Sequence, residues 1–374
     1  MNKPRVKEFY RVYDYIENDQ EIEIQLGACK STGKVVNGDR DLLKLLSLCD
    51  GKNSRLDIIQ IIRKDRPDLS THDINEVLDH LQEYGLLEEA DLGDTTLSPI
   101  EFDRYNRHLV YYSSFCEGNR HVPQEKLKNS TVVLIGMGGI GSWLSYALVA
   151  AGIGKLIGVD HDHIELSNLT RQILYSEQSV GMKKVAVAKE RLRELNSKVE
   201  FISVEQKVQN VDNVKKIIKD ADFVVLSADS PEGIHYWVDR ACYESNIPYT
   251  SVGYLDNWGI CGPLTVPNKT SCLICEKGSN EIKQETLHGI PEIREINSRA
   301  KAASFGPLNG YISCFAAMEV IKYLTGYAEP VTLGRRYMVN SGTMETEFTE
   351  YPRNPNCPQC GNSTIISERN KGVV

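Results

Sequence analysis

The stretch Thr131-Val132-Val133-Leu134-Ile135 runs directly into Gly136-Met137-Gly138-Gly139-Ile140-Gly141, and no other part of the chain restricts its fold as tightly. A continuous apolar run bounded by a turn reads as a strand buried on both faces, as found where helices cover both sides of a parallel sheet. The glycines then turn the chain, and a helix follows from about Ser142 to Ala151. The alternation continues. Leu156 to Val159 reads as a strand, Lys184 to Leu195 as a helix and Phe223 to Leu226 as another buried strand. This order predicts an α/β fold built on a Rossmann-like doubly wound sheet.

Such a turn has a chemical use. Glycines let the backbone approach a phosphate closely, and the N-terminus of the following helix attracts negative charge. Asp160, at the end of the second strand, stands where a carboxylate can hold ribose hydroxyls. A dinucleotide-dependent dehydrogenase would show the same pattern, so the residues that follow decide the matter. They are Ser167-Asn168-Leu169-Thr170-Arg171-Gln172 and then Gly181-Met182-Lys183-Lys184-Val185. A dehydrogenase has no need for Asn, Arg and Lys clustered just after the ribose carboxylate. Cleavage of ATP between its α- and β-phosphates does, because cations neutralise charge as pyrophosphate leaves. It also needs a carboxylate for Mg²⁺, and Asp229 lies just past the strand ending at Leu226, where sheet carboxyl ends host ligands.

These residues together resemble the ThiF/MoeB/HesA superfamily of adenylating enzymes, the bacterial relatives of ubiquitin-activating enzymes. The resemblance rests on Arg104-Tyr105-Asn106-Arg107-His108, the Gly136–Gly141 loop, Asp160-x-Asp162, Ser167 to Gln172, Lys184 and Ala228-Asp229, and it covers residues 101 to 363. It implies that Gly136, Gly138, Gly139, Gly141, Asp160, Asp162 and Gln172 hold ATP, with Asp160 on the ribose. It implies that Asn168, Arg171 and Lys184 contact the phosphates and that Asp229 binds Mg²⁺. Arg107 resembles an arginine that reaches into the ATP site of a partner subunit, which implies a homodimer. Bland readings stay open for three residues: Arg107 as a surface arginine, Asp162 as a turn cap, and Lys183 in place of Lys184.

Two Cys-x-x-Cys units, Cys272-Leu273-Ile274-Cys275 and Cys357-Pro358-Gln359-Cys360, supply four thiolates. Four soft ligands suit a closed, tetrahedral, structural Zn²⁺ site, which would fasten the C-terminal segment to the body of the domain. A redox role for either pair is the alternative. Residues 276–313, which resemble the family's crossover loop, contain no cysteine. Cys261 and Cys314 sit in apolar sequence and read as core residues, so the chemistry is expected to stop at the acyl adenylate or use it directly. The charged loop from Gly278 to Ser304 holds Arg299 and Lys301, which could receive substrate carboxylates.

The net charge of −8 divides the chain. Residues 1–100 carry 13 basic and 20 acidic side chains, and the other 274 carry 30 and 31. The acidic part reads as a separate domain of residues 1–95, joined by a polar linker to an adenylation domain of residues 100–374. Glu21 to Leu26 alternates as a strand does. Asp41 to Cys49 is Leu-rich. Leu56, Ile58, Ile59 and Ile62 mark a second helix, and Thr71 to Leu87 a third with Ile74, Val77, Leu78 and Leu81 on one face. Short strands plus three helices suggest a small winged-helix-like α+β module. Its acidic balance argues against nucleic acid, where phosphate attraction dominates affinity, and favours a peptide. A mere packing domain is the bland alternative.

An acidic module in front of an adenylation domain resembles the branch of the superfamily that matures ribosomally made peptide antibiotics, of the microcin C and pantocin A types. There the module clamps the leader of a precursor peptide. The resemblance implies ATP-dependent activation of a carboxylate or carboxamide on that peptide, by nucleotidyl transfer or by glutamate side-chain condensation. A sulfur-carrier adenylyltransferase of the MoeB/ThiF type is the alternative. With no apolar run of membrane-spanning length and a polar N-terminus, the chain reads as cytoplasmic, with no membrane partner. Two Cys-x-x-Cys units, which favour metal or redox chemistry over a disulfide framework, fit that compartment.

Overall fold

A computed structural model of the chain describes all residues except 9, 18–20, 28–33, 39, 92, 117, 276–302 and 362–374, and no side chain between 13 and 39. The described residues form two compact units, Met1–Glu125 and Lys126–Val374. None of the described helices is long and apolar enough to cross a membrane.

The first unit begins with β1 (Pro4–Val6), β2 (Arg11–Glu17), β3 (Glu21–Gly27) and β4 (Lys34–Gly38). Helices α1 (Arg40–Leu48), α2 (Arg55–Asp65) and α3 (Thr71–Glu83) follow, then β5 (Leu87–Glu89), α4 (Pro99–Tyr112) and α5 (Val122–Lys128). Strands β2, β3 and β4 form an antiparallel sheet, and β1 pairs antiparallel with β5. Leu45, Leu46, Ile58, Ile62, Ile74 and Leu78 meet in one core. Ser70 caps α3, accepting from the Asp73 N–H while the Asp73 carboxylate accepts from the Ser70 N–H.

Two expectations change here. Helix α3 stops at Glu83, because Gly85 takes φ +73° and Leu87 turns into a strand that needs β1 as its partner. Leu56 and Val77 point to solvent, because the core already receives Ile58, Ile59 and Leu78 from the same helices.

The second unit is an open α/β sheet. Its elements are β6 (Thr131–Ile135), α6 (Gly139–Ala151), β7 (Lys155–Val159), α7 (Lys184–Leu195), β8 (Glu200–Val204), α8 (Val211–Ile218), β9 (Phe223–Leu226), α9 (Ile234–Glu244), β10 (Tyr249–Leu255), β11 (Trp258–Cys261), α10 (Gly306–Thr325), β12 (Arg335–Asn340) and β13 (Thr346–Glu350). The strand order is β13-β12-β11-β10-β9-β6-β7-β8. Strands β8 to β10 are parallel, and β10 to β13 antiparallel. Chain order reverses between β7 and β9 on either side of β6, so the carboxyl end of β6 is the switch point where such sheets bind ligands. Both faces of β6 are buried. Leu134 packs with Leu144 and Leu148 of α6, and Val133 packs with Val224 and Val238 on the opposite side.

Candidate active site

The glycine loop follows β6 because its backbone cannot carry side chains there. Gly136 has φ +100°, and a Cβ on it would press on Ala228 N and Ser227 at 3.0 Å. A Cβ on Gly141 would enter the Gly136 carbonyl group. The loop therefore lies flat against the β9 terminus, where Ser227 Oγ donates to Gly136 O at 2.9 Å. Gly138 is the N-cap of α6 and offers no side chain, so the helix terminus stays open to an anion.

Asp160 ends β7 and braces this loop. Its carboxylate accepts from Met137 N–H and from Asp162 N–H, both at 2.8 Å. Asp162 in turn holds the start of α7: its carbonyl accepts from Lys184 N–H at 3.1 Å, and its carboxylate pairs with Lys184 Nζ at 2.8 Å. Lys184 is buried while Asp162 is half exposed. Burial works against ionisation of Asp162, but the Lys184 ammonium outweighs it and holds the carboxyl below its ordinary range. Lys183 points elsewhere, to Glu205 at 2.9 Å.

These groups open on a cavity of about 690 Å³ lined by Gly136, Gly138, Gly139, Asp160, Asp162, Arg171, Gln172, Lys184 and Asp229. Among the lining side chains, Arg171, Lys184, Lys207 and Arg336 are cationic and Asp160, Asp162 and Asp229 anionic. That mixture suits a polyphosphate accompanied by a divalent cation. Arg171 is positioned by Trp143, whose indole N–H donates to the Arg171 carbonyl at 3.1 Å, and its guanidinium bonds Ser167 O at 2.8 Å. Gln172 is buried, and its Oε1 has no hydrogen-bond partner among the described residues. An acceptor facing a cavity in that state is available to a ligand.

Two of the expected residues of the second unit lie off the cavity wall. Gly141 is buried beneath the loop and does not line the cavity. Asn168 is buried in a 3-10 turn (Leu166–Thr170), where its Oδ1 accepts from Glu165 N–H at 3.2 Å; it too stays off the cavity wall. Arg107 belongs to α4 of the first unit and is exposed. Gln206, Lys207, His235, Ser251, Tyr254 and Arg336 line the cavity without having been anticipated. Gln206 and Lys207 follow β8, so the rule that ligands sit at strand carboxyl ends could have found them. Arg336 comes from the antiparallel β12, for which the sequence offers no such rule.

The four cysteines of the two Cys-x-x-Cys units converge, with every Sγ within 4.8 Å of the others. Sγ separations are 4.0 Å for Cys272–Cys275, 3.6 Å for Cys272–Cys357 and 3.2 Å for Cys275–Cys360. Four thiolates at ~2.3 Å from a tetrahedral Zn²⁺ would stand ~3.8 Å apart, so the donor set fits that ion. The Cys272 thiol and the Asn354 N–H, at 3.4 Å, favour the thiolate of Cys275 and push its pKa down. Cys261 is fully buried and burial pushes its thiol up, as expected of a core residue. Cys314 corrects the expectation: it is exposed on α10, because that face of the helix is turned away from α6. Arg299, Lys301 and most of the 278–304 loop lie outside the described residues.

The chain is similar to several known proteins. The ThiF family model matches residues 105–359. The molybdopterin-synthase adenylyltransferase of Escherichia coli is 29% identical over 265 residues, 71% of this chain and 98% of that one. The structure of E. coli MccB with ATP superposes with a TM-score of 0.75 at 29% identity, covering 96% of this chain and 99% of that one. PaaA shares the fold, with a TM-score of 0.72 at 23% identity over 93% of this chain and all of that one. With the family model matched over residues 105–359, more than half of its length, the chain belongs to the ThiF family.

Proposed function

We propose that the protein is an ATP-dependent adenylating enzyme that activates a carboxylate or carboxamide on a ribosomally made precursor peptide. One observation carries the peptide reading. The likeness to MccB, which has been solved with ATP and with the peptide MccA, spans 97% of this chain and includes the N-terminal unit. The match to the molybdopterin-synthase enzyme covers 71%. In this reading the first unit clamps the leader, and the tether raises the local concentration of the residue to be modified.

In the reaction, the substrate oxygen attacks the α-phosphorus of ATP, the new O–Pα bond forms, and the bond from Pα to the bridging oxygen of pyrophosphate breaks. The glycine loop and the open terminus of α6 seat the phosphates. Lys184, held in place by the Asp162 carboxylate at 2.8 Å, and Arg171 stabilise the charge that develops on the leaving pyrophosphate. Asp160 accepts from the ribose with the lone pairs its backbone donors leave free. Asp229 would supply a carboxylate oxygen for Mg²⁺, which would neutralise phosphate charge. Asn168 then acts by shaping the turn that carries Arg171.

The four thiolates would hold a structural Zn²⁺ and leave it no ligand position for chemistry, so none is assigned to it. The active form is a homodimer in which Arg107 reaches the partner's site. Helix α10 supports this, since Tyr311, Cys314 and Met318 leave one apolar stripe of it uncovered.

The test is intact mass spectrometry of candidate precursor peptides, taken from any short reading frames found beside this chain's gene, after incubation with the enzyme and Mg-ATP. A gain matching an adenylyl group places the reaction with nucleotidyl transfer. Loss of water, or of water and carbon dioxide, means that adenylation activates a side chain for condensation. An unchanged peptide, with a Gly-Gly-tailed carrier protein adenylated instead, overturns the peptide reading in favour of the molybdopterin-synthase type.

A further inference from the structure

Asp239 is a carboxylate in an unfavourable place. It lies on α9 at 0% exposure, between Val238 and Ala241, where the helix otherwise presents apolar side chains to the sheet. Burial pushes its pKa up. A buried carboxyl is tolerated only when donors surround it, and here they come from three separate parts of the chain. Oδ1 accepts from the Tyr249 hydroxyl and, at 2.8 Å, from the Leu273 N–H. Oδ2 accepts from Gln359 Nε2 at 2.6 Å.

The identity of those donors is the point. Leu273 lies inside the first Cys-x-x-Cys unit and Gln359 inside the second. Tyr249 and Leu273 also line the cavity. One side chain thus touches both turns that present the thiols and the wall of the ATP-sized cavity. Thiols from segments so distant in sequence need a common reference to stand at tetrahedral spacing, and metal sites obtain it from hydrogen-bonding groups behind the ligands.

We propose that Asp239 is the positioning residue that sets both Cys-x-x-Cys turns for the metal and fastens them to the cavity wall through Tyr249. The proposal rests on reading the four thiols as a zinc site. Each bond has a separate consequence. Asp239→Ala removes both acceptor oxygens and with them the bonds of all three donors, Tyr249, Leu273 and Gln359. Gln359→Leu releases only the second turn and leaves no buried charge without a donor. Asp239→Asn keeps Oδ1 for Tyr249 and Leu273, and Gln359 can turn its amide over to accept from the new Nδ2. It is the conservative rescue.

The experiment measures zinc content of the purified full chain by mass spectrometry of the metal, and its rate of transfer to a chromogenic chelator. Asp239→Ala is expected to release zinc roughly 10–100-fold faster than wild type, Gln359→Leu several-fold faster, and Asp239→Asn close to wild type. Leu192→Ala, a core truncation on α7, lowers thermal stability but is expected to leave the release rate alone. If Asp239→Ala does not fold, Gln359→Leu against Leu192→Ala carries the comparison. Wild-type release rates in the Asp239→Ala or Gln359→Leu proteins, or equally fast release from Leu192→Ala, overturn the role of Asp239. Wild-type protein without zinc overturns the metal reading itself, a separate result.

Discussion

Gly141→Ala isolates what the glycine loop does. The added Cβ would stand 2.8 Å from the Gly136 carbonyl carbon, closer still to its oxygen, and 3.1 Å from Ser227 Oγ. Two of these three atoms are backbone, so no rotamer change relieves the overlap. Either α6 or the loop must shift by about 1 Å, a cost at the upper end of the ~1–3 kcal/mol typical of overpacking. Helix α6 cannot shift freely, because Ile140, Leu144 and Leu148 are packed into the main core. At ~2–4 °C per kcal/mol for a domain of this size, the melting temperature should fall by ~6–12 °C. A ~1 Å displacement of the phosphate seat should also cost about 100-fold in kcat/KM for ATP. Differential scanning calorimetry and a pyrophosphate-release assay measure the two effects. Gly253→Ala is the control for stability, since its Cβ meets nothing within 4 Å, and it should leave the melting temperature unchanged. A Gly141→Ala protein with wild-type melting temperature and wild-type turnover would refute the close-packed loop as the basis of the site.

The other expectations concern the charged groups. Lys184→Ala and Asp229→Ala should each lower pyrophosphate release at least about 100-fold while precursor binding, followed by calorimetry, stays intact; near-normal turnover in either would remove them from the site. The Asp162–Lys184 pair sets a pH dependence. The folded Asp162 carboxyl sits below its ordinary value of 3.8, so the pair stabilises the fold fully above that value and loses its contribution as pH falls through the depressed one. Wild type should therefore melt above Asp162→Asn near neutral pH, with the gap closing below about pH 4. A gap that persists undiminished into stronger acid would contradict the pairing.

Much of the site was legible in the residue order, for a local reason. A buried strand, a glycine turn and a helix N-terminus form from neighbours in the chain, so Gly136, Gly138, Gly139, Asp160 and Asp229 could be placed from residue order, while the family resemblance was needed to choose Lys184 over Lys183. All of them except Lys183 line one cavity. Asn168 shows the limit of that approach. Its neighbours Arg171 and Gln172 face the cavity, but its own amide caps the turn that carries them, and a pattern of letters does not distinguish the two uses. Cys314 shows another limit. Apolar neighbours suggested burial, yet helical phase put it on the face of α10 that α6 does not cover.

The sequence by itself determined the elements, the order in which strands and helices alternate, and the chemistry of residues that lie within one turn of each other. Tertiary structure alone decided what comes together across the sheet. Arg336 reaches the cavity because β12 joins the sheet through β11, and Lys207 because β8 ends beside β7. The four thiols meet across distant segments, and Asp239 behind them accepts from donors on β10 and on both cysteine turns. Such contacts are set by strand pairing and helix packing between distant segments, and no local propensity encodes them.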